Sequence, residues 1–171
     1  MAKSDSFFIR ASADFNGNNF VQTTIDLGAY VDALGKSVLR IHNIAVQYGN
    51  PTDVLTPSAV NTVQSNLYQV TTQSQTAMVN LDNRSVVASG ALIVSCGDPA
   101  VGTEILDIDD TTDVGPQHWT QGYLIATENL FLGIDSTGAT ALGLDKLSIV
   151  MECTVETMDQ NAAMALSLSQ Q

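Results

Sequence analysis

Apolar and polar residues alternate most cleanly late in the chain. In Leu147 to Thr157, Leu147, Ile149, Met151, Cys153 and Val155 fall on one side, and Ser148, Val150, Glu152, Thr154 and Glu156 on the other. A period of two over five pairs predicts a strand with one face in a core and one mainly wet. Ser6 to Ala11 and Phe20 to Ile25 are shorter strand candidates. The turn Asn16-Gly17-Asn18-Asn19 between them predicts a hairpin. Val38 to Tyr48 is long, β-branched and bounded by Gly49-Asn50-Pro51, as a central strand would be. Its alternation slips near Asn43, which predicts a bulge. Leu67 to Thr72, Ala77 to Leu81, Ser85 to Cys96 (with a bend or bulge at Gly90), and the run from His118 to Thr127 and Asn129 to Ile134, interrupted only by Glu128, bring the number of strands to about eight.

One segment has helical spacing. Leu27, Tyr30, Val31 and Leu34 lie at i, i+3, i+4 and i+7, which predicts a short helix over 27–34, with Asp26 as its cap and Gly35 past its end. Residues 51–65 and 97–117 carry no period and are expected to be loops. In the tail, Ala162, Ala163, Ala165, Leu166 and Leu168 could make a helical turn that docks on a neighbouring subunit. The expected architecture is all-β: an eight-stranded antiparallel two-sheet sandwich over residues 1–157, followed by a tail at 158–171. Phe7, Phe8, Leu39, Ile41, Ile44, Leu124, Ile125, Ile149, Met151 and Val155 are its predicted core.

Composition sharpens this picture. Only 14% of the 171 residues are charged, against about 25% in an ordinary soluble domain. Thr, Ser, Gln and Asn take their place, which suits half-buried sheets and tight turns. Six Lys plus Arg face eighteen Asp plus Glu, a formal net charge of −12. The cations, Lys3, Arg10, Lys36, Arg40, Arg84 and Lys146, are scattered singly. Nucleic-acid binding draws most of its affinity from cations clustered near phosphates, so direct genome contact is not expected. The apolar run Phe7-Phe8-Ile9 is too short for a secretory leader, and no stretch reaches the roughly 20 apolar residues of a membrane span. Synthesis in a cytoplasm is the expectation. Cys96 and Cys153 lie in apolar runs, where small buried thiols are the ordinary outcome.

Candidate chemistry is sparse. His42 lies among apolar strand residues and reads as a structural imidazole; His118 beside Trp119 reads as part of a packed aromatic pair. Neither has companions at metal-ligand spacing, and no phosphate-cradling or nucleophile motif is present. An enzyme is therefore not expected, and neither is an organic cofactor. One cluster remains. Glu104, Asp107, Asp109, Asp110 and Asp113 fall within ten residues, EILDIDDTTD. On a loop they could supply the oxygen ligands that calcium wants, although the spacing differs from the EF-hand pattern.

With its strands in order, the chain resembles the small single jelly-roll coat proteins of icosahedral viruses. The resemblance rests on SFFIRASADF, on DLGAYVDALGKSVLRIHNIAVQYG, and on the late pair GYLIATENLFLGI and LSIVMECTVETM. It spans most of residues 6–157 and lies in the order and spacing of elements. It implies a wedge that tiles a closed shell in a virion, with copies of itself and other virion proteins as partners. The loops 51–65 and 97–117 and the tail would then make subunit contacts. MAKSDSFFIR departs from the basic arm that many such proteins carry. The alternatives are a β-sandwich binding module for carbohydrate or protein, and an accessory or tail protein of a virion.

Overall fold

The computed structural model describes residues 3–15, 19–32, 36–49, 62–97, 106–137 and 145–170. Nine strands lie in this part of the chain: β1 (Phe7–Phe15), β2 (Val21–Asp26), β3 (Ser37–Tyr48), β4 (Thr62–Thr71), β5 (Val86–Cys96), β6 (Leu106–Val114), β7 (Tyr123–Ile125), β8 (Asn129–Thr137) and β9 (Asp145–Thr157). A C-terminal helix, α1 (Gln160–Ser169), follows them. All strand pairs are antiparallel.

One sheet has the order β1-β9-β3-β7 and the other β2-β8-β4-β5-β6. Set β6 aside, and two four-stranded sheets face each other, with the chain crossing between them after β1, β2, β3, β5, β7 and β8. That winding is a single jelly roll. β6 is a fifth strand laid on the free edge of β5.

The core lies between the sheets. Leu39, Ile41, Ile125, Ile149, Met151 and Cys153 come from the four-stranded sheet, and Tyr68, Val70, Leu130, Leu132 and Ile134 from the five-stranded one. The alternation predicted for β9 holds from Leu147 to Cys153, with Leu147, Ile149, Met151 and Cys153 buried; beyond it Thr154 and Glu156, on the face expected to be wet, are buried too, and Val155 is half-buried. The bulge predicted near Asn43 is present, since the β3–β9 register shifts between Ile41 and Asn43.

Five expectations are corrected. β1 and β2 form no hairpin, because they belong to opposite sheets and pair with β9 and β8. Phe8 points away from the core and is 55% exposed, while Phe7 and Ile9 face inward. Period two allows only one of two adjacent aromatics inside. Over its described residues, the predicted 27–34 helix is a single turn in which Tyr30 and Val31 both bond back to the Leu27 carbonyl. Asp26 Oδ1 does accept from Gly28 N, at 2.8 Å. The Asp32–Ser37 bridge then turns the backbone away from a helical path. Leu27 and Val31 still bury their side chains, so the spacing located the inward face although no helix forms.

Residues 77–81 form no strand. Their backbone is bonded to a side chain instead: Gln69 Nε2 donates to Val79 O at 2.7 Å, and Val79 N donates to Gln69 Oε1 at 3.1 Å. Lastly, the segment expected as a loop over 97–117 contains β6.

Candidate interaction surfaces

The outer face of the four-stranded sheet carries a charged network. Period two sends Arg40 of β3, and Thr154 and Glu156 of β9, to this side. Arg40 Nε and Nη2 bond to Glu156 Oε1 and Oε2 at 2.7 and 2.8 Å, a two-pronged pair. Nη1 donates to the Gln121 carbonyl, which ties the 119–122 turn to the sheet. Lys3 Nζ adds a third contact, 3.6 Å from Glu156 Oε1. The hydrogen bonds from Arg40 hold the Glu156 carboxyl below its usual range, and the same bonds push the guanidinium further up. His42 Nε2 lies 3.0 Å from Thr154 Oγ1, on this polar outer face and not among the apolar side chains. His118 is not part of a packed pair. It ends a 3-10 turn (Pro116–His118) and is exposed, as is Trp119.

Beside this network runs a groove made of two adjoining cavities of about 590 and 380 Å³, which share Arg40 and Gln121. Lys3 and His42 lie at one end, and Arg84 with Tyr123 at the other. Gly122 closes its floor in the left-handed region, at φ 65°. A Cβ there would collide with the Ile41 carbonyl, so only glycine fits.

α1 forms a second surface. Asp159 caps it, with Oδ2 accepting from Asn161 N at 3.1 Å. Ala163 packs into a small cluster with Val38 and Ala126, and Leu124 and Leu166 border it. Leu124, predicted for the main core, thus faces the helix and not the opposite sheet. The far side of α1 presents Met164 and Leu168, both exposed. Just past the helix, Gln170 reaches the free edge of β7. Its Nε2 donates to Leu124 O at 2.7 Å and its Oε1 accepts from Ala126 N at 2.9 Å. Gln170 O also accepts from Thr72 Oγ1 at 2.7 Å, joining the tail to the other sheet.

Of the acidic cluster, Asp107, Asp109, Asp110 and Asp113 lie on β6 and not on a loop. Glu104 falls outside the described residues. The backbone of Asp107 is in the strand, paired with Ser95. Asp109 and Asp110 are exposed and, as neighbours on a strand, point to opposite faces. Asp113 sits where the β5–β6 register shifts, and its Oδ2 accepts from Ser89 Oγ at 3.2 Å. Among the described residues, no three His, Cys, Asp or Glu side chains come together in a way that could hold a metal ion.

Sequence reasoning missed two features here. Gln64, Asn66 and Ser136 are buried on the inward face at one end of the five-stranded sheet. Among the described residues, Asn66 Nδ2 and Ser136 Oγ, with Tyr48 Oη, have no hydrogen-bond partner. The start of β4 read as loop because its inward positions are polar. The second miss is the pairing of glutamine amides with backbone, which has no periodic signature. Among the described residues, no helix is long and apolar enough to cross a membrane. Geometry therefore places the chain among single jelly-roll sandwiches. No protein-family model matches it, and no curated protein is significantly similar in sequence.

Proposed function

We propose that this chain is a structural protein that assembles with copies of itself into a closed icosahedral shell, in the manner of single jelly-roll viral coat proteins. The observation that carries the reading is the strand order, β1-β9-β3-β7 against β2-β8-β4-β5, a winding that viral capsid domains use. The distribution of apolar side chains outside the core supports it. Phe8 lies on the outer side of one sheet, Val63 on the other sheet, and Met164 and Leu168 on α1, all exposed. A tile in a closed shell needs contacts on several sides, and a single-ligand module needs one. The shortage of charged residues fits the same role, since charge is depleted at interface cores. With a formal charge of −12, contact with a packaged genome falls to another component.

The test is light scattering on a sizing column, with electron microscopy of the earliest peak. Closed particles of uniform diameter are expected. A monomer across a range of salt, calcium and protein concentrations would overturn the reading. It would favour a β-sandwich binding module, with Trp119 beside the groove as the first residue to probe.

A further inference from the structure

Four outward side chains of β1 and β9 form a block on the outer face of the four-stranded sheet. Phe8 stands opposite Glu152 across the strands, and Arg10 opposite Val150. Phe7, Ile9, Ile149, Met151 and Cys153 between them face the core, so period two turns all four outward. Phe8 and Arg10 are exposed, and Val150 and Glu152 half-buried. The block is nearly square, about 5 Å across the strands and about 7 Å along them. One diagonal, Phe8 and Val150, is apolar; the other, Arg10 and Glu152, carries opposite charges. Arg10 lies over the Phe8 ring, 5.8 Å from its centroid, and neither Arg10 nor Glu152 has an ion-pair partner among the described residues. Alongside, the short side chains of Ser12 and Ser148 line a shallow hollow of about 300 Å³, so no bulk rises there above the block. The outward positions of β1 and of the part of β9 paired with it hold Arg10, Asp14, Lys146 and Glu152, two charges of each sign on a chain of net charge −12. Asp14 and Lys146 pair with each other at 3.4 Å.

We propose that the Phe8–Arg10–Val150–Glu152 block is a two-fold contact between copies of this chain, sheet facing sheet. A two-fold axis laid along the apolar diagonal, in the plane between the copies, sets Phe8 against the second copy's Phe8 and Val150 against its Val150. The same axis places Arg10 of each copy on Glu152 of the other, so one set of residues makes two reciprocal ion pairs. Charge complementarity selects a second copy as the occupant, because the pattern is its own complement. A face with no net charge also brings two acidic chains together without adding to the repulsion of their net charge. Four residues a side cover too little area to hold an isolated dimer, so the contact works as one of several in a shell. The inference rests on the self-assembly reading and names one two-fold contact within it.

Two single charge reversals, Arg10→Glu and Glu152→Arg, and the protein carrying both test it. Each single reversal opposes like charges twice per contact. Each should need roughly tenfold more protein than the parent to form particles, the effect of about 1.4 kcal/mol. The first makes the chain more acidic and the second less, so a loss shared by both does not come from net charge. The double protein restores both pairs and should assemble at the parent's concentration. Thermal melting checks that each is folded. Should one melt early, Arg10→Gln and Glu152→Gln repeat the comparison, and unchanged assembly in both refutes the contact. A second measurement does not depend on charge. Facing sheets pack about 10 Å apart, too far for a disulfide, so particles of Phe8→Cys are treated with a short bis-maleimide. A cross-linked pair of chains, absent from the parent, is expected because residue 8 lies near the axis. Single reversals that assemble like the parent, a double protein no better than the singles, or Phe8→Cys particles without the cross-linked pair overturn the contact and leave the shell reading standing. A parent that stays monomeric overturns both.

Discussion

At the scale of single residues, the Arg40–Glu156 pair decides more than its surface position suggests. Both side chains are largely covered, at 12% and 8% exposure. Removing one partner of a covered pair strands the other charge, which costs about 3–5 kcal/mol when burial is complete. Arg40→Met should therefore lower stability by about 2–3 kcal/mol in urea unfolding, allowing for the remaining solvent access. The pH dependence has a definite sign. Because the folded carboxyl titrates lower than the unfolded one, its contribution is complete above the ordinary carboxylate range. It is lost as pH falls through and below that range. The stability gap between the parent and Glu156→Gln should thus be widest near neutrality and narrow on acidification. Cys153 behaves in the opposite direction. Burial pushes its thiol up to about 12, so the folded state keeps a proton that the unfolded state gives up in mild alkali. Stability from this group is present below the ordinary thiol range and falls as pH rises towards 12. At pH 8 a thiol reagent should modify Cys153 only as fast as the protein opens, as peptide mass analysis would show.

Among the elements, legibility followed burial on one face. β9 and β3 were plain from the sequence because each alternates over many residues against a single core, and even the β3 bulge left a slip in the pattern. β6 was invisible for the converse reason. As an edge strand rich in aspartate, it has little apolar alternation to betray it, and acidic edges are one way proteins discourage unwanted strand pairing. The segment 77–81 misled because it is rich in apolar residues, but the Val79 backbone is held by the Gln69 side chain and not by another strand. Of the interaction surfaces, the acidic run was legible and the groove was not, since Lys3, Arg40 and Arg84 meet only through tertiary folding. The same holds for Gln170. Nothing in the sequence of the tail marks one amide as the partner of the β7 edge. Gln170→Ala should expose the Leu124 carbonyl and the Ala126 amide and cost about 1–3 kcal/mol. Hydrogen exchange at Ala126 should quicken while exchange in β9 changes only by the global loss of stability.

Across the whole molecule, low charge and abundant amides describe one design. Gln22, Gln69 and Gln170 each use a side-chain amide to meet backbone groups that a loop or sheet edge would otherwise leave open. This meets those backbone groups without charged side chains. Order along the chain and order in the sheet are nearly opposed, however. β9 is inserted between β1 and β3, so Phe7 pairs with Cys153 and Ser37 with Thr157. A chain cut at residue 144 should stay unfolded by circular dichroism, whereas one cut at 157 should fold with reduced stability. During synthesis the consequence is one of timing. At about 5–20 residues per second, β1 waits on the order of ten seconds for β9, its one strand partner among the described residues, to leave the ribosome. Until then the four-stranded sheet lacks its middle, and the inward side chains of β1 and β3 have no strand between them to close the core.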